Sequence, residues 1–170
     1  IDWEKFGGIA KRCGAWSMAD FSHYSGLIAG GVYDNPVPHV DICTSTTHKT
    51  LRGPRGGMIL SNNEELHKKI NKAVFPGTQG GPLMQQVAAK AQAYWEALQP
   101  EFKTYQKSVL SNARALAKSL TNNGINIFTG GTDSHIILCD LRDTGVTGLD
   151  ASNKLEQCGL VCNKNGIPND

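Results

Sequence analysis

The sequence predicts an α/β fold in two parts, residues 1–99 and 100–170, and three observations carry that prediction. Short apolar segments alternate with helical patterns up to about Gln99, the texture of strands joined by helices. One strand, starting at Asp41, runs into the hydroxyls Thr44, Ser45, Thr46 and Thr47 and then into His48 and Lys49. It sets a long amine at the mouth of a sheet, where open α/β folds hold their ligands. A helical stripe from Phe102 to Asn123 then gives way to strands and a short helix, which marks a second, α+β part.

Each element has its own signal. Trp3, Phe6, Ile9, Ala10 and Cys13 recur at helical spacing, and Gly14 is placed to end that helix. Residues 15–20 read as a short buried strand. Phe21 to His39, with Gly26, Gly30, Gly31, Pro36 and Pro38, reads as a loop with one helical turn near Leu27. Strands follow at Asp41–Ser45 and Gly57–Ser61. Asn62, Asn63, Glu64 and Glu65 then open a helix reaching about Val74, with lysines toward its end. Phe75 to Pro82 carries glycines and prolines and is a loop that brings backbone close to something. Helices are expected at 83–98, stopped by Pro100, and at 102–123, with Phe102, Tyr105, Val109, Leu110, Ala113, Leu116, Ala117 and Leu120 on one stripe. Strands at 125–128, 135–141 and 160–163 and a short helix at 149–158 complete the chain.

With 39% apolar and 19% charged residues the composition is that of an ordinary globular protein. A net charge of +2 offers no field for nucleic acid or a membrane surface. No apolar run approaches the ~20 residues of a membrane span, no signal peptide is visible, and the cytoplasm is the expected location. The five cysteines are odd in number and scattered, which predicts buried thiols in a reducing compartment rather than a disulfide framework. The chain opens on Ile1 rather than methionine and reads as an internal piece of something longer.

Lys49 has two chemical readings, a point charge for phosphate or a covalent nucleophile toward a carbonyl. The phosphate-loop reading needs glycines before Lys49-Thr50, and none lies between Gly31 and Gly53. The Schiff-base reading needs a carboxylate on a neighbouring strand to tune a pyridinium ring. Asp20 supplies it as a buried partner, with His23 three residues on. A metal is not expected. His39, Cys43 and His48 straddle opposite faces of a strand, Cys158 and Cys162 stand apart, and no fourth ligand is evident.

Residues 19–39 (ADFSHYSGLIAGGVYDNPVPH), followed by 44–57 (TSTTHKTLRGPRGG), resemble the pyridoxal-phosphate site of the serine hydroxymethyltransferase family. Residues 73–85 (AVFPGTQGGPLMQ) and 163–170 (NKNGIPND) are similar to later parts of the same enzymes, so the resemblance covers essentially the whole chain. It implies the aspartate-aminotransferase-like, fold type I architecture. Residues 1–99 would be part of its large, mostly parallel sheet domain, and 100–170 a connecting helix and the start of the small α+β domain. It implies pyridoxal 5'-phosphate as cofactor, tetrahydrofolate as co-substrate and interconversion of serine and glycine. It also implies a homodimer or dimer of dimers with shared active sites.

Residue by residue, the resemblance implies that Lys49 bonds the cofactor, Asp20 faces its ring nitrogen, and His23 lies under the ring. His48 is implied in substrate specificity, Thr46 in exchange at the lysine, and Arg55 in support of the cofactor. Gly80 and Gly81 would bring amides to the phosphate of the other subunit's cofactor, and Lys164 and Asn165 would lie near the folate. Taken alone, Asp20 reads as a turn aspartate, His23 as a solvated ring, the Thr/Ser run as a strand edge, and 163–166 as a turn. The family's remaining site residues would precede Ile1 or follow Asp170, so a fragment of this extent is expected to be inactive by itself. Competing expectations are another fold type I aldolase, or an inactive scaffold or regulatory fragment. The loop at 76–81 and the folate-like C-terminus count against the aldolase.

Overall fold

Local signals build the first elements. Asp2 caps α1 (Trp3–Arg12), its carboxylate accepting the Lys5 amide at 2.9 Å, and Lys11 and Arg12 lie at the negative end of the helix dipole. Gly14, with φ at 65°, then turns the chain away. In the computed structural model, which describes residues 1–168, the chain forms two compact units, Ile1–Lys107 and Ser108–Asp170.

The first unit is built on β1 (Met18–Asp20), β2 (Ile42–Thr46) and β3 (Gly57–Leu60), in the order β1-β2-β3. β1 runs parallel to β2, and β3 runs antiparallel to it, so the sheet is mixed. Ala19, Phe21, Val40 and Cys43 form its core, with Trp3, Ile28, Val37 and Met58 packed against them. α2 (Ser25–Ala29) supplies Leu27, which is 0% exposed. Tyr24 stacks on Tyr33 at 4.9 Å between ring centres, folding the Gly/Pro-rich stretch back on itself.

β1 departs from the buried strand expected at 15–20. It has one neighbour and one covered face, so Ala19 is buried while Trp16 and Met18 are exposed. α3 (Glu64–Lys72) starts where its cap predicts, the Asn63 Oδ1 accepting the Glu65 and Leu66 amides at 2.9 and 3.1 Å. A wide turn over Ala73–Thr78 follows and leads to α4 (Met84–Ala97). α4 ends with its cap at Leu98, two residues before Pro100 as expected, and Pro100 also opens α5 (Pro100–Asn122), a position its fixed φ suits. The buried row of α5 is Phe102, Gln106, Leu110, Ala113 and Ala117, whereas Tyr105 and Leu116, expected inside, are exposed. A polar residue thus occupies a row that counting apolar positions assigns elsewhere.

In the second unit β4 (Asn126–Ile127) pairs antiparallel with β5 (Cys139–Asp140). The Arg142 guanidinium donates to buried Asp140 at 2.7 Å. α6 (Gly148–Gln157) is capped by Thr147, which accepts the Asp150 amide at 3.1 Å. The strand expected at 135–141 is confined to its last two paired positions, and 160–163 is not a strand. The Leu160 amide turns back onto the Leu155 carbonyl at 2.8 Å, closing the end of α6, and Leu160 and Val161 are exposed. All five cysteines are unpaired thiols, but only Cys43 is buried, and Cys13, Cys158 and Cys162 are exposed. Cys13 and Cys158 fall at the C-terminal caps of α1 and α6, where the chain is open to solvent. Among the described residues no helix is long and apolar enough to cross a membrane.

Leu27→Ala removes a fully enclosed side chain and should lower stability by about 2–5 kcal/mol. Urea unfolding measures it, and a loss well under that range would mean that α2 is not anchored by this residue.

Candidate active site

The C-terminal ends of β1 and β2 lie side by side, with Asp20 in register with Thr44. A carboxylate opposite a hydroxyl across parallel strands forms a hydrogen bond, and Thr44 Oγ1 donates to Asp20 Oδ2 at 2.7 Å. The chain then turns, and the Ser22 amide donates to Asp20 Oδ1 at 3.1 Å. Asp20 is exposed on the open face of the sheet, not buried as its expected role suggested, because outward-facing residues of β1 have no covering layer. The little burial it has pushes its pKa up. The hydrogen bonds from Thr44 and Ser22 and the positive charge of Lys49 outweigh that effect, and the carboxyl sits below the usual aspartate value.

β2 ends in Thr46, whose amide donates to Ser22 Oγ at 3.1 Å. One turn on, half-buried Lys49 brings its Nζ to 3.0 Å from Thr46 Oγ1. The hydroxyl run therefore does more than edge a strand: Thr44 holds the carboxylate, Thr46 holds the amine, and Thr47 donates to the Pro54 carbonyl at 2.5 Å. The half-buried His48 accepts the Gly56 amide on Nδ1 at 3.3 Å. A neutral ring so bonded carries its proton on Nε2. His23 is exposed beyond Asp20, and its carbonyl accepts the Thr50 hydroxyl at 2.7 Å. Arg55 is exposed on the connection between β2 and β3.

The structure thus gathers Asp20, Thr46 and Lys49 by direct contact and charge, with His23 and His48 tied to the same backbone. Gly80 and Gly81 stand in the open, with no atom within 4 Å of where a Cβ would be. Lys164 and Asn165 belong to the second unit, where they line a groove with Ser152, Asn153, Glu156 and Cys162. The last two residues of the similar stretch 163–170 lie outside the described residues. Among the described residues no group of three or more His, Cys, Asp or Glu could hold a metal ion.

Several residues that shape this site carry no signal in a catalytic inventory. Ser22 binds Asp20 and Thr46 at once, and the Asp-x-Ser spacing of a local turn is the trace that could have exposed it. Arg52, at φ 64°, lies in the left-handed region that few side chains adopt. Its guanidinium lies 4.7 Å from the ring centre of Tyr105 and 3.4 Å from Glu96.

A family model described as serine hydroxymethyltransferase matches residues 1–170. The chain is 60% identical over 169 residues to serine hydroxymethyltransferase of Endomicrobium trichonymphae, covering 99% of this chain and 41% of that protein. It is 59% identical over 170 residues to that of Wolbachia pipientis subsp. Culex pipiens (strain wPip), covering 100% and 40%. To the one from Caulobacter sp. (strain K31) it is 58% identical over 170 residues, covering 100% and 39%. The chain spans about two fifths of the length of these curated relatives.

Because the folded pKa of Asp20 is depressed, its contribution to stability is present above the unfolded value of ~3.9. It is lost as pH falls through the lower folded value. Thr44→Val removes the donor to Oδ2 and should move the Asp20 carboxyl upward. Carbon-detected NMR titration reads this directly, and an unmoved titration would show that the Thr44 bond does not hold the charge.

Proposed function

Given that the chain belongs to the serine hydroxymethyltransferase family, we propose that its Asp20–Thr46–Lys49 edge binds pyridoxal 5'-phosphate and serves the interconversion of serine and glycine, with transfer of a one-carbon unit to tetrahydrofolate. The observation that carries this reading is the Lys49 amine, 3.0 Å from Thr46 Oγ1, at the same strand edge as a carboxylate held ionised. This donor set suits the cofactor, with an amine for its carbonyl and an anion for its ring nitrogen. When bound, pyridoxal phosphate supplies an electron-withdrawing ring that lets a bond at the substrate α-carbon break.

The chain's own residues then have defined tasks. Asp20 holds a proton at the ring nitrogen, and Thr44 and Ser22 keep Asp20 charged so that it can. Lys49 would hold the cofactor's carbonyl carbon through its amine, which stands beside Thr46 Oγ1. Thr46 steadies Nζ through its hydroxyl and is placed to take up or return a proton there. His23 meets the ring. His48 offers only its Nε2 edge to substrate, since Nδ1 is engaged by Gly56. Arg55 supports the cofactor side of the site.

Gly80 and Gly81 reach the phosphate of the partner subunit's cofactor in a homodimer or dimer of dimers. Their openness supports that role, as does the exposed apolar row of Leu83, Met84, Val87 and Trp95 that follows them. Lys164 and Asn165 contact the folate. In this reading residues 1–99 belong to the large domain of a fold type I enzyme, and 100–170 to the connecting helix and small domain. The unpaired thiols suit a cytoplasmic setting.

Borohydride reduction of the full-length protein with pyridoxal phosphate should fix the cofactor to Lys49 alone, and Lys49→Ala should remove the visible absorbance band. Label on Lys68 or Lys72 would reject Lys49 as the anchoring amine, and a protein showing no band at all would be a scaffold.

A further inference from the structure

Gln106 is the polar member of the buried row of α5, 0% exposed. Its Nε2 donates to the Thr50 carbonyl at 2.9 Å, and its Oε1 has no hydrogen-bond partner. The side chain enters between α2 and the lysine loop because Gly26 and Gly30 leave room. A Cβ at Gly26 would stand 2.7 Å from Nε2, and one at Gly30 would stand 2.8 Å from Cγ. Space-filling alone would be served as well by methionine, which has the same length and buries no orphan acceptor. What distinguishes glutamine here is the amide donor to Thr50.

Thr50 directly follows Lys49. Besides receiving Gln106, it donates its hydroxyl to the His23 carbonyl at 2.7 Å and accepts the Gly26 amide at 3.0 Å. The turn it belongs to is tight, with the Arg52 amide on the Lys49 carbonyl at 2.9 Å and the Gly53 amide on the Thr47 carbonyl at 2.7 Å. It also holds Arg52 in the left-handed region, a conformation that persists only when its surroundings enforce it.

We propose that Gln106 is a positioning residue. Through Thr50 it fixes the backbone that carries Lys49 and joins that backbone to the turn that carries His23. It touches neither substrate nor cofactor, and its effect is to keep Nζ beside Thr46 rather than to do chemistry. The proposal rests on the reading of Lys49 as the cofactor-binding amine.

The test is hydrogen exchange on the full-length protein without cofactor, comparing wild type with Gln106→Met and Gln106→Asn. Methionine keeps the volume and removes the donor, whereas asparagine keeps the amide and shortens its reach. The amides of Gly26, Arg52 and Gly53 should exchange faster by about tenfold, the scale expected for one lost hydrogen bond, while those of β2 and β3 stay as they were. On the same variants, the borohydride-fixed fraction at Lys49 at limiting cofactor should fall.

Unchanged loop exchange overturns the proposal. So does equal acceleration in β2 and β3, or failure of both variants to fold, since either would make Gln106 a core residue without a positioning role. Wild-type protein unlabelled at Lys49 would defeat the cofactor reading while leaving the exchange result intact, so the two failures are distinguishable.

Discussion

The parallel register of β1 on β2 is the constraint on which the site depends. Polar side chains pin it at a constant offset of 24 residues along the whole seam. Ser17 donates its amide and hydroxyl to the Asp41 carboxylate at 2.8 and 2.6 Å, Thr44 donates to Asp20, and the Thr46 amide donates to Ser22. The Gly26 amide on Thr50 continues the same offset beyond the strands. A slip by one residue would turn every side chain of β1 to the other face. Asp20 would then point into the core formed around Ala19 and Cys43. Three residues of paired strand are a short ladder, and the side-chain bonds at its ends give it a unique alignment.

From that register the rest of the edge follows. Ser17 and its backbone amide hold the Asp41 carboxyl below its usual range at one end of the seam. At the other end, Asp20 is held charged on the open face. Lys49 needs a turn to come back over Thr46, and the turn is tight enough to put Arg52 in the left-handed region. Arg52 then rests on Tyr105 and Phe102 and pairs with Glu96. Its exposed ion pair adds little by itself; the contact with the rings gives the turn a fixed seat.

Much of this was legible in the sequence. The hydroxyl run before Lys49, the carboxylate ending a neighbouring strand and the Asn63 cap are local signals. They depend on spacing and side-chain chemistry, and they survive folding unchanged. What was not legible depends on neighbours. Residues 15–16 and 160–163 have strand-like texture, but a ladder forms only where a second strand lies alongside, and texture does not report neighbouring strands. Gln106 was invisible because a polar side chain in a helix reads as solvent-facing until Gly26 and Gly30 are seen to make room for it. The cysteines misled for a similar reason, since a thiol at a helix end, as at Cys13 and Cys158, is enclosed only where another element covers it.

The central claim is that Asp20 and Lys49 act on one ligand from one strand edge, the carboxylate keeping a proton on the ring while the amine holds the other end. The most direct measurement is the nitrogen NMR shift of nitrogen-15-labelled pyridoxal phosphate bound to the full-length protein and to its Asp20→Asn variant. The account predicts a protonated ring nitrogen at neutral pH in the wild type and a deprotonated one in the variant, with both proteins still holding cofactor on Lys49. The same protonation state in both would contradict it.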